Sequence, residues 1–186
     1  MAAAEEAKLI AGELDDARLG FEAADIIGDL KLVNGDYAGA TQEVIGALPL
    51  LDRIDAPSAK APALFEAAQA VLLEGDPARA LELADQSSQL ARHMSAHDQM
   101  HATSVIMTAA DWLGDWDRVE AALAEHLANF DEEANVHCLN VQSGPNRGAV
   151  VVAHRGDPAR ARAIAERAIP FEPTPGAIQS TAADVL

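Results

Sequence analysis

Apolar residues recur along the chain at intervals of three and four positions, the spacing that is typical of amphipathic helices. In the segment 62–74, for example, Leu64, Ala68, Val71 and Leu72 fall on one predicted helix face. The same pattern predicts helices over about 2–19, 21–33, 37–53, 62–74, 77–93, 95–113, 116–130, 145–155 and 158–169. The stretch 134–143 is the least regular, and either a short helix or an ordered loop fits it. Gly144-Pro145 is expected to prevent a single helix from passing through.

A Gly-Asp turn is repeated four times between these helices. The copies begin at Gly35, Gly75, Gly114 and Gly156, which are 40, 39 and 42 residues apart. A near-constant period of this size indicates stacked helix pairs. Glycine tolerates the left-handed backbone that ends a helix, and aspartate is a favourable N-cap for the next one. We therefore interpret each copy as a structural turn between two antiparallel helices.

The turns predict an all-α fold, a right-handed α-α superhelix of about four helix pairs that forms a single domain over 1–186. The pairs cover about 21–53, 62–93, 95–130 and 134–169; a helix over 2–19 precedes them and a tail over 170–186 follows. Pro49 is expected to kink or end its helix. The stretch 12–17 faintly resembles the repeated turn, and it is either the remnant of an earlier repeat or an N-terminal cap.

Composition favours closely packed helices and restricts the partners. Apolar residues make up 49% of the chain but aromatic residues only 4%, so small side chains dominate the helix contacts. The formal net charge of −17 repels phosphate backbones and argues against nucleic acid as a partner.

The single cysteine excludes an internal disulfide, and this favours a reducing, cytoplasmic setting. The N-terminus lacks the features of a signal peptide, and no stretch has the apolar length of a membrane span.

The last quarter of the chain is locally basic. Five of the thirteen basic residues lie there: Arg147, Arg155, Arg160, Arg162 and Arg167. Solvated helix faces explain them most simply. An acidic partner, or the acidic region of a neighbouring molecule, is the alternative.

The repeats resemble the tetratricopeptide (TPR) family, in which a small residue packs in the first helix, a Gly-Asp-aromatic turn follows, and alanines occupy set positions in the second helix. The small position is filled by Gly28, Ala68 and Ala149, and Met107 departs from it. The first alanine position holds Ala40, Ala80 and Ala161, with Val119 as the exception, and the position seven residues later holds Ala47, Ser87 and Ala168, with His126 as a departure. The resemblance covers about 22–173, and Pro173 matches the helix-ending proline of the family. The period of about 40 residues is longer than the period of about 34 residues that is usual in the family. In this respect the chain is similar to the divergent repeats of large bacterial regulators.

This resemblance implies that a protein or peptide binds in a concave groove lined by the first helix of each pair. On that basis the candidate groove residues are Lys31, Gln69, Thr103, Met107 and Arg147. Trp112 and Trp116 flank the third turn and are expected to pack between repeats. Because the ends of a solenoid expose apolar faces unless they are capped, a homodimer through these ends stays open.

Three histidines carry the one metal-like spacing in the chain. His93, His97 and His101 are four residues apart, and two histidines on one helix face can bind zinc or nickel. The predicted loop at Met94-Ser95 breaks this row, and no cysteine pair accompanies it. Groove or surface polar residues explain the histidines more simply. We therefore predict no metal site, and His97 and His101 are the best pair if a metal does bind.

No catalytic motif is recognisable. His137-Cys138 has no orienting acid or oxyanion site, and a thiol buried between helices is the simpler interpretation of Cys138. Gly144-Pro145-Asn146-Arg147-Gly148 lacks the Gly-Lys-Ser/Thr ending of a phosphate loop. We predict a non-enzymatic protein-interaction, adaptor or regulatory module of bacterial style, with no cofactor, nucleic acid or membrane partner. The alternative is a helical-repeat domain that senses a small molecule or a metal.

Overall fold

The computed structural model describes residues 1–130 and 138–168 of the 186-residue chain. Every regular element in these ranges is helical, so the predicted all-α class is confirmed. The elements are α1 Ala2–Leu14, α2 Ala17–Val33, α3 Tyr37–Ala47, a 3-10 turn at Leu48–Arg53, α4 Pro57–Leu73, α5 Pro77–Ala91, α6 Ala96–Trp112, α7 Trp116–Phe130, α8 Leu139–His154 and α9 Pro158–Ala168. The predictions for 134–137 and for the tail 170–186 lie outside the described residues.

The chain divides into two compact units, Met1–Ala91 and Arg92–Leu186. The first unit contains α1 to α5, and its closest packing joins α4 to α5 and α2 to α3. The second unit contains α6 to α9, in which α8 packs against α6, α7 and α9. The single repeat domain over 1–186 stays a prediction.

The Gly-Asp turns share one backbone geometry. All four glycines adopt positive φ: 81° at Gly35, 92° at Gly75, 74° at Gly114 and 92° at Gly156. In the first turn the Asp36 amide donates to the Lys31 carbonyl at 2.9 Å, and the Asp36 carboxylate accepts from the Gly39 amide at 3.0 Å. The aspartates of the other three turns accept an amide hydrogen bond in the same way, from Arg79, Arg118 and Arg160. The structural interpretation of these turns is confirmed.

A fifth turn of this type joins α1 to α2 without a glycine. Asp15 adopts the left-handed conformation at φ 56°, and the Asp16 carboxylate accepts from the Leu19 amide at 3.0 Å. Arg53 holds this corner, because its guanidinium pairs with the Asp15 carboxylate at 2.7 Å and donates to the Asp15 carbonyl at 3.0 Å. The prediction that the first helix extends to residue 19 is therefore wrong, since the turn lies at 15–16.

Two prolines lie inside helices that the sequence pattern divides or shortens. α4 begins at Pro57 instead of residue 62, because proline is tolerated in the first turn, and it continues through Pro62. α8 runs from Leu139 through Pro145, so the expected break at Gly144-Pro145 is wrong. Pro49 lies in the 3-10 turn that follows α3, which agrees with its predicted helix-ending role.

Candidate functional site

In the first unit, carboxyl groups of α2 and α4 lie close enough to repel one another. Asp25 and Asp29 are one turn apart on α2, and their charges act on Glu66 of α4. Asp25 and Glu66 are both partly buried. Among the described residues, no lysine, arginine or histidine forms an ion pair with any of the three. These carboxyl groups therefore form a negative site to which the described part of the chain contributes no cation.

Burial changes the ionisation of this site. It raises the pKa of Glu66 to about 8, and the charges of Asp25 and Asp29 add to the shift. A hydrogen bond from the Gln69 amide to Glu66 Oε2, at 3.0 Å, partly offsets it. Burial, followed by the charge of Asp29, raises the pKa of Asp25 to about 6. Glu66 is consequently protonated at neutral pH, and a cation placed here would favour its ionised form.

Exposed apolar side chains flank the carboxyl groups. Ile26 precedes Asp29 by three residues and Val33 follows it by four, so both lie beside it on α2. On α4, Leu73 lies one turn beyond Gln69. Ile26, Val33 and Leu73 are 51%, 86% and 67% exposed. We refer to the surface formed by Asp25, Ile26, Asp29, Val33, Glu66, Gln69 and Leu73 as the α2/α4 face.

A separate cavity of about 460 Å³ lies in the same unit between α1, α2, α3 and the 3-10 turn. It is lined by three cations, Lys8, Lys31 and Arg53. Lys8 and Lys31 both donate to the Glu43 carboxylate, at 2.6 and 2.9 Å. Their hydrogen bonds hold the pKa of Glu43 below its usual range. The cations of this cavity are thus already paired with carboxylates of the chain.

The five predicted groove residues occupy different environments. Gln69 lies on the α2/α4 face, and Lys31 lines the cavity. Arg147 is partly buried and pairs with Asp111 at 3.3 Å. Thr103 and Met107 are 1% and 0% exposed, so their side chains pack between helices, and this burial argues against direct contact with a partner in this conformation. Partner binding by these five residues stays a prediction.

In the second unit, His97 and His101 of α6 meet the thiol of Cys138 at the start of α8. Their potential ligand atoms all lie within 4.8 Å of one another. His101 Nε2 is 3.1 Å from Cys138 Sγ, and the two imidazole centroids are 4.3 Å apart. His93 lies between α5 and α6, so the histidine row is interrupted as the loop prediction requires. We refer to His97, His101 and Cys138 as the His-Cys cluster.

Two features of the His-Cys cluster favour the binding of a ligand. The Nδ1 atom of His97 is buried and has no hydrogen-bond partner among the described residues. Burial lowers the pKa of His101 to about 4, and the neighbouring His97 contributes to this shift. The His101 imidazole is therefore neutral at physiological pH. The sequence pointed to the histidine pair, but Cys138 is 37 residues from His101 and only the packing of α8 on α6 brings it there.

The contacts of two further histidines of this unit, His126 and His154, stabilise the packing of its helices. His126 is fully buried, and its Nε2 donates to the Val141 carbonyl at 2.8 Å. Its Nδ1 lies 2.8 Å from the Thr103 hydroxyl. Trp116 stacks on His154 with centroids 6.0 Å apart. These contacts hold α6, α7 and α8 together and show no arrangement suited to nucleophilic catalysis.

Arginines of the basic last quarter contact α7 of the same unit. Arg155 pairs with Asp117 at 2.6 Å and with Glu120 at 3.0 Å. Arg160 also pairs with Glu120, at 3.0 Å. Acidic side chains of the chain itself therefore engage these two cations, which lowers the case for an acidic partner at this end.

None of the helices in the described ranges has both the length and the apolar character required to cross a membrane.

Comparison with known proteins gives matches to solved structures alone. No protein-family model and no curated protein sequence matches the chain. BtubC (BKLC) from P. vanneervenii is similar at a TM-score of 0.73 and 17% identity, over 99% of this chain and 79% of that one. A Podospora anserina protein described as a kinesin light chain with nearly identical TPR-like repeats is similar at a TM-score of 0.61 and 12% identity, over 89% of this chain and 82% of that one. YrrB, described as a TPR protein with an unusual peptide-binding site, is similar at a TM-score of 0.59 and 14% identity, over 98% of this chain and 82% of that one.

These similarities concern the fold. The chain has a TPR-like helical-repeat fold, and the resemblance drawn from its Gly-Asp turns is confirmed. Identities of 12–17% carry no ligand or partner over to this chain, since repeat folds of one class serve many functions.

Proposed function

We propose that this chain is a protein-interaction module that acts by binding and not by catalysis. Its α2/α4 face is proposed to bind a partner segment in which lysine or arginine lies beside apolar residues. The observation that carries the proposal is a group of carboxyls with which no cation in 1–130 or 138–168 pairs, flanked by exposed Ile26, Val33 and Leu73. The fold of YrrB, which its description credits with a peptide-binding site, supports peptide binding as the general class.

A basic side chain would change the charge state of the site on binding. When the partner's cation approaches Asp25 and Asp29, it offsets their repulsion and favours the ionised form of Glu66. Glu66 then releases its proton and accepts a charge-assisted hydrogen bond, which is stronger than a neutral one. Gln69 already donates to Glu66 Oε2 and so limits the orientations of the carboxyl group. Peptides without a cation should therefore bind more weakly, because they do not offset the repulsion between the carboxylates of the site.

The apolar residues and the overall charge serve different steps of this binding. Contact with Ile26, Val33 and Leu73 removes apolar surface from water, which contributes roughly 25 cal/mol per Å² buried. The net charge of −17 attracts basic segments over distances of about one Debye length and raises their association rate. We therefore expect association to slow as salt increases. A cytoplasmic, regulatory setting of bacterial style remains part of the proposal, supported by the single cysteine and the repeat pattern.

A peptide selection with a charge-matched control tests the proposal. A random peptide library is selected on the chain and on a site variant that combines Asp25→Asn, Asp29→Asn and Glu66→Gln. Because Glu66 is largely protonated at neutral pH, the control variant combines Glu5→Gln and Glu6→Gln alone, which removes two exposed carboxylates from α1. Peptides with lysine or arginine beside apolar residues should be enriched on the natural chain and the control, and lost on the site variant. Equal retention by all three proteins would refute the proposal.

Small-molecule sensing is the alternative function, and the cavity of the first unit is the feature that favours it. An anionic ligand would suit Lys8, Lys31 and Arg53. Such a ligand has to displace Glu43 or Asp15 from these cations, which opposes its binding. The carboxyls of the α2/α4 face need no such displacement, and for this reason we favour the interaction module.

A further inference from the structure

We propose that His97, His101 and Cys138 form a binding site for zinc or a similar borderline-soft transition metal ion. The site would connect α6 to the start of α8 within the second unit. It is independent of the α2/α4 face, which lies in the first unit, so either proposal can fail without the other.

The composition of the cluster selects the class of ion. Two imidazoles and a thiolate are ligands for zinc, cobalt, nickel or copper, whereas magnesium and calcium require oxygen ligands. The cluster offers one sulfur and two ring nitrogens, each from a different side chain. Because the thiol has to lose its proton to bind, metal binding releases a proton to solvent and tightens as pH rises.

The geometry is close to that of a metal site before any ion enters. Zinc bonds of about 2.0–2.3 Å in a tetrahedral arrangement place neighbouring ligand atoms roughly 3.3–3.8 Å apart. The cluster already places His101 Nε2 and Cys138 Sγ at 3.1 Å and holds all its ligand atoms within 4.8 Å. Small side-chain rotations therefore suffice to reach tetrahedral distances. The fourth position would be filled by water or by a further side chain.

The unsatisfied ring nitrogen of His97 is the second, independent observation. A buried polar atom that has no hydrogen-bond partner costs about 1–3 kcal/mol, and native structures seldom retain one without a reason. His97 Nδ1 is such an atom, and it lies on the helix turn that precedes His101. A metal ion supplies the missing partner. The neighbouring Asp98 is not a partner of this atom; its carboxylate accepts from the Ser95 hydroxyl at 2.5 Å.

The cluster is also held in place by its surroundings. Cys138 packs against Met100, Phe130 and Val141, which form a buried apolar group. Ser95 caps the start of α6 by accepting from the Asp98 amide at 3.2 Å, so the first turn that carries His97 is fixed. A bound ion would join the start of α6 to the start of α8, and any ligand that binds the native state alone stabilises it.

Cobalt titration of the full chain, without a polyhistidine tag, tests the site. Cobalt(II) bound to Cys138 gives a thiolate charge-transfer absorption, and this band can arise from Cys138 alone because the chain has one cysteine. We expect the band in the natural chain, its displacement by zinc, and no effect of magnesium. His97→Ala and His101→Ala should each weaken zinc binding at least about tenfold, since even loss of an outer-shell partner of a metal ligand costs about 10–100-fold.

Controls make each outcome decisive. His93→Ala removes an exposed histidine four residues before His97, and it should leave the band and the zinc affinity unchanged. Circular dichroism shows whether each variant remains folded. If a histidine variant unfolds, alkylation of the Cys138 thiol in the natural chain decides instead, because bound zinc should slow it. Absence of a thiolate band, or zinc binding that is unaffected by His97→Ala and Cys138→Ser, or alkylation that zinc does not slow, would overturn the proposal.

Discussion

Gly144 of α8 gives space to the imidazole of His126 on α7. A methyl group built on Gly144 would lie 2.9 Å from His126 Cε1, and 2.8 Å from the methyl carbon of Met107 on α6. Met107 and His126 are, with Val119, the residues of the third repeat that are larger than the TPR pattern expects. The glycine on the next helix compensates for Met107 and His126, and this allows α8 to pack closely despite them.

Replacing Gly144 by alanine should therefore destabilise the second unit. Intrinsic helix propensity favours alanine over glycine by about 1 kcal/mol, whereas overpacking of a filled core typically costs about 1–3 kcal/mol. We expect the steric cost to exceed the propensity gain, so that chemical denaturation shows a net loss of stability.

Gly46 of α3 is the matched control for this prediction, because nothing lies within 4 Å of a methyl group built on it. Gly46→Ala should keep or raise the free energy of unfolding. A gain in stability from Gly144→Ala would show that α8 is not packed as described.

The hydrogen bond between Thr103 and His126 gives a second prediction. Because Nε2 of His126 donates to the Val141 carbonyl, Nδ1 of the neutral ring can only accept, and the Thr103 hydroxyl lies 2.8 Å from it. The Gln99 and Met100 carbonyls, at 3.2 and 3.1 Å, compete for the same hydroxyl proton. Thr103→Val leaves this buried nitrogen unsatisfied, which should cost about 1–3 kcal/mol in urea denaturation.

Thr41→Val separates the histidine contact from the general effect of replacing a buried threonine. Thr41 is also buried, and its hydroxyl donates to the Tyr37 carbonyl one turn earlier. Among the described contacts, Thr41 makes no hydrogen bond to another side chain. Equal losses in the two variants would mean that the contact with His126 contributes nothing.

The pKa of Glu66 predicts how stability depends on pH. The native carboxyl keeps its proton up to about pH 8, whereas the unfolded one loses it near pH 4.3. The native state therefore binds more protons in this window, and the free energy of unfolding falls as pH rises through it. Glu66→Gln should raise the thermal midpoint at pH 8 by at least about 2–4 °C, because about 1 kcal/mol brings that shift in a chain of this size and a pKa difference of one between the native and unfolded states is worth about 1.4 kcal/mol.

The same variant should bring little change at about pH 3.5, below the unfolded pKa of about 4.3, where the carboxyl is neutral in both the native and the unfolded state. Glu82→Gln, which removes an exposed carboxylate from α5, separates the loss of one negative charge from the loss of this partly buried group. A midpoint that does not rise at pH 8 in Glu66→Gln would contradict the buried, protonated state.

The sequence was sufficient for the features that local chemistry determines. Glycine at positive φ and aspartate at the N-cap act within a few residues, so the four Gly-Asp turns and the helices between them could be predicted. The Asp15-Asp16 turn was indicated only by the faint resemblance of 12–17 to the repeated turn, because no glycine marks it and Arg53, which pairs with Asp15, is 38 residues away. The helix through Pro145 was also missed, since proline usually breaks a helix interior.

The candidate sites were harder to predict because they depend on distant packing. Thr103 and Met107 were assigned to the groove by their helix, but their orientation toward α7 and α8 is a tertiary property. The pair His97 and His101 was visible as a spacing of four, whereas Cys138 joins them only through the position of α8. Glu66 and Asp25 carry no local signal, since their meeting requires α2 and α4 to pack.

Proton release on peptide binding tests the central claim most directly. At pH 7 about nine tenths of Glu66 is protonated, given a pKa of about 8. A lysine- or arginine-containing peptide from the selection is titrated by calorimetry at this pH, in two buffers of different ionisation enthalpy. If the cation binds at the α2/α4 face, the natural chain should release close to one proton per peptide, and Glu66→Gln should release almost none and bind more weakly. Binding without proton release, and with equal affinity in Glu66→Gln, would contradict the account.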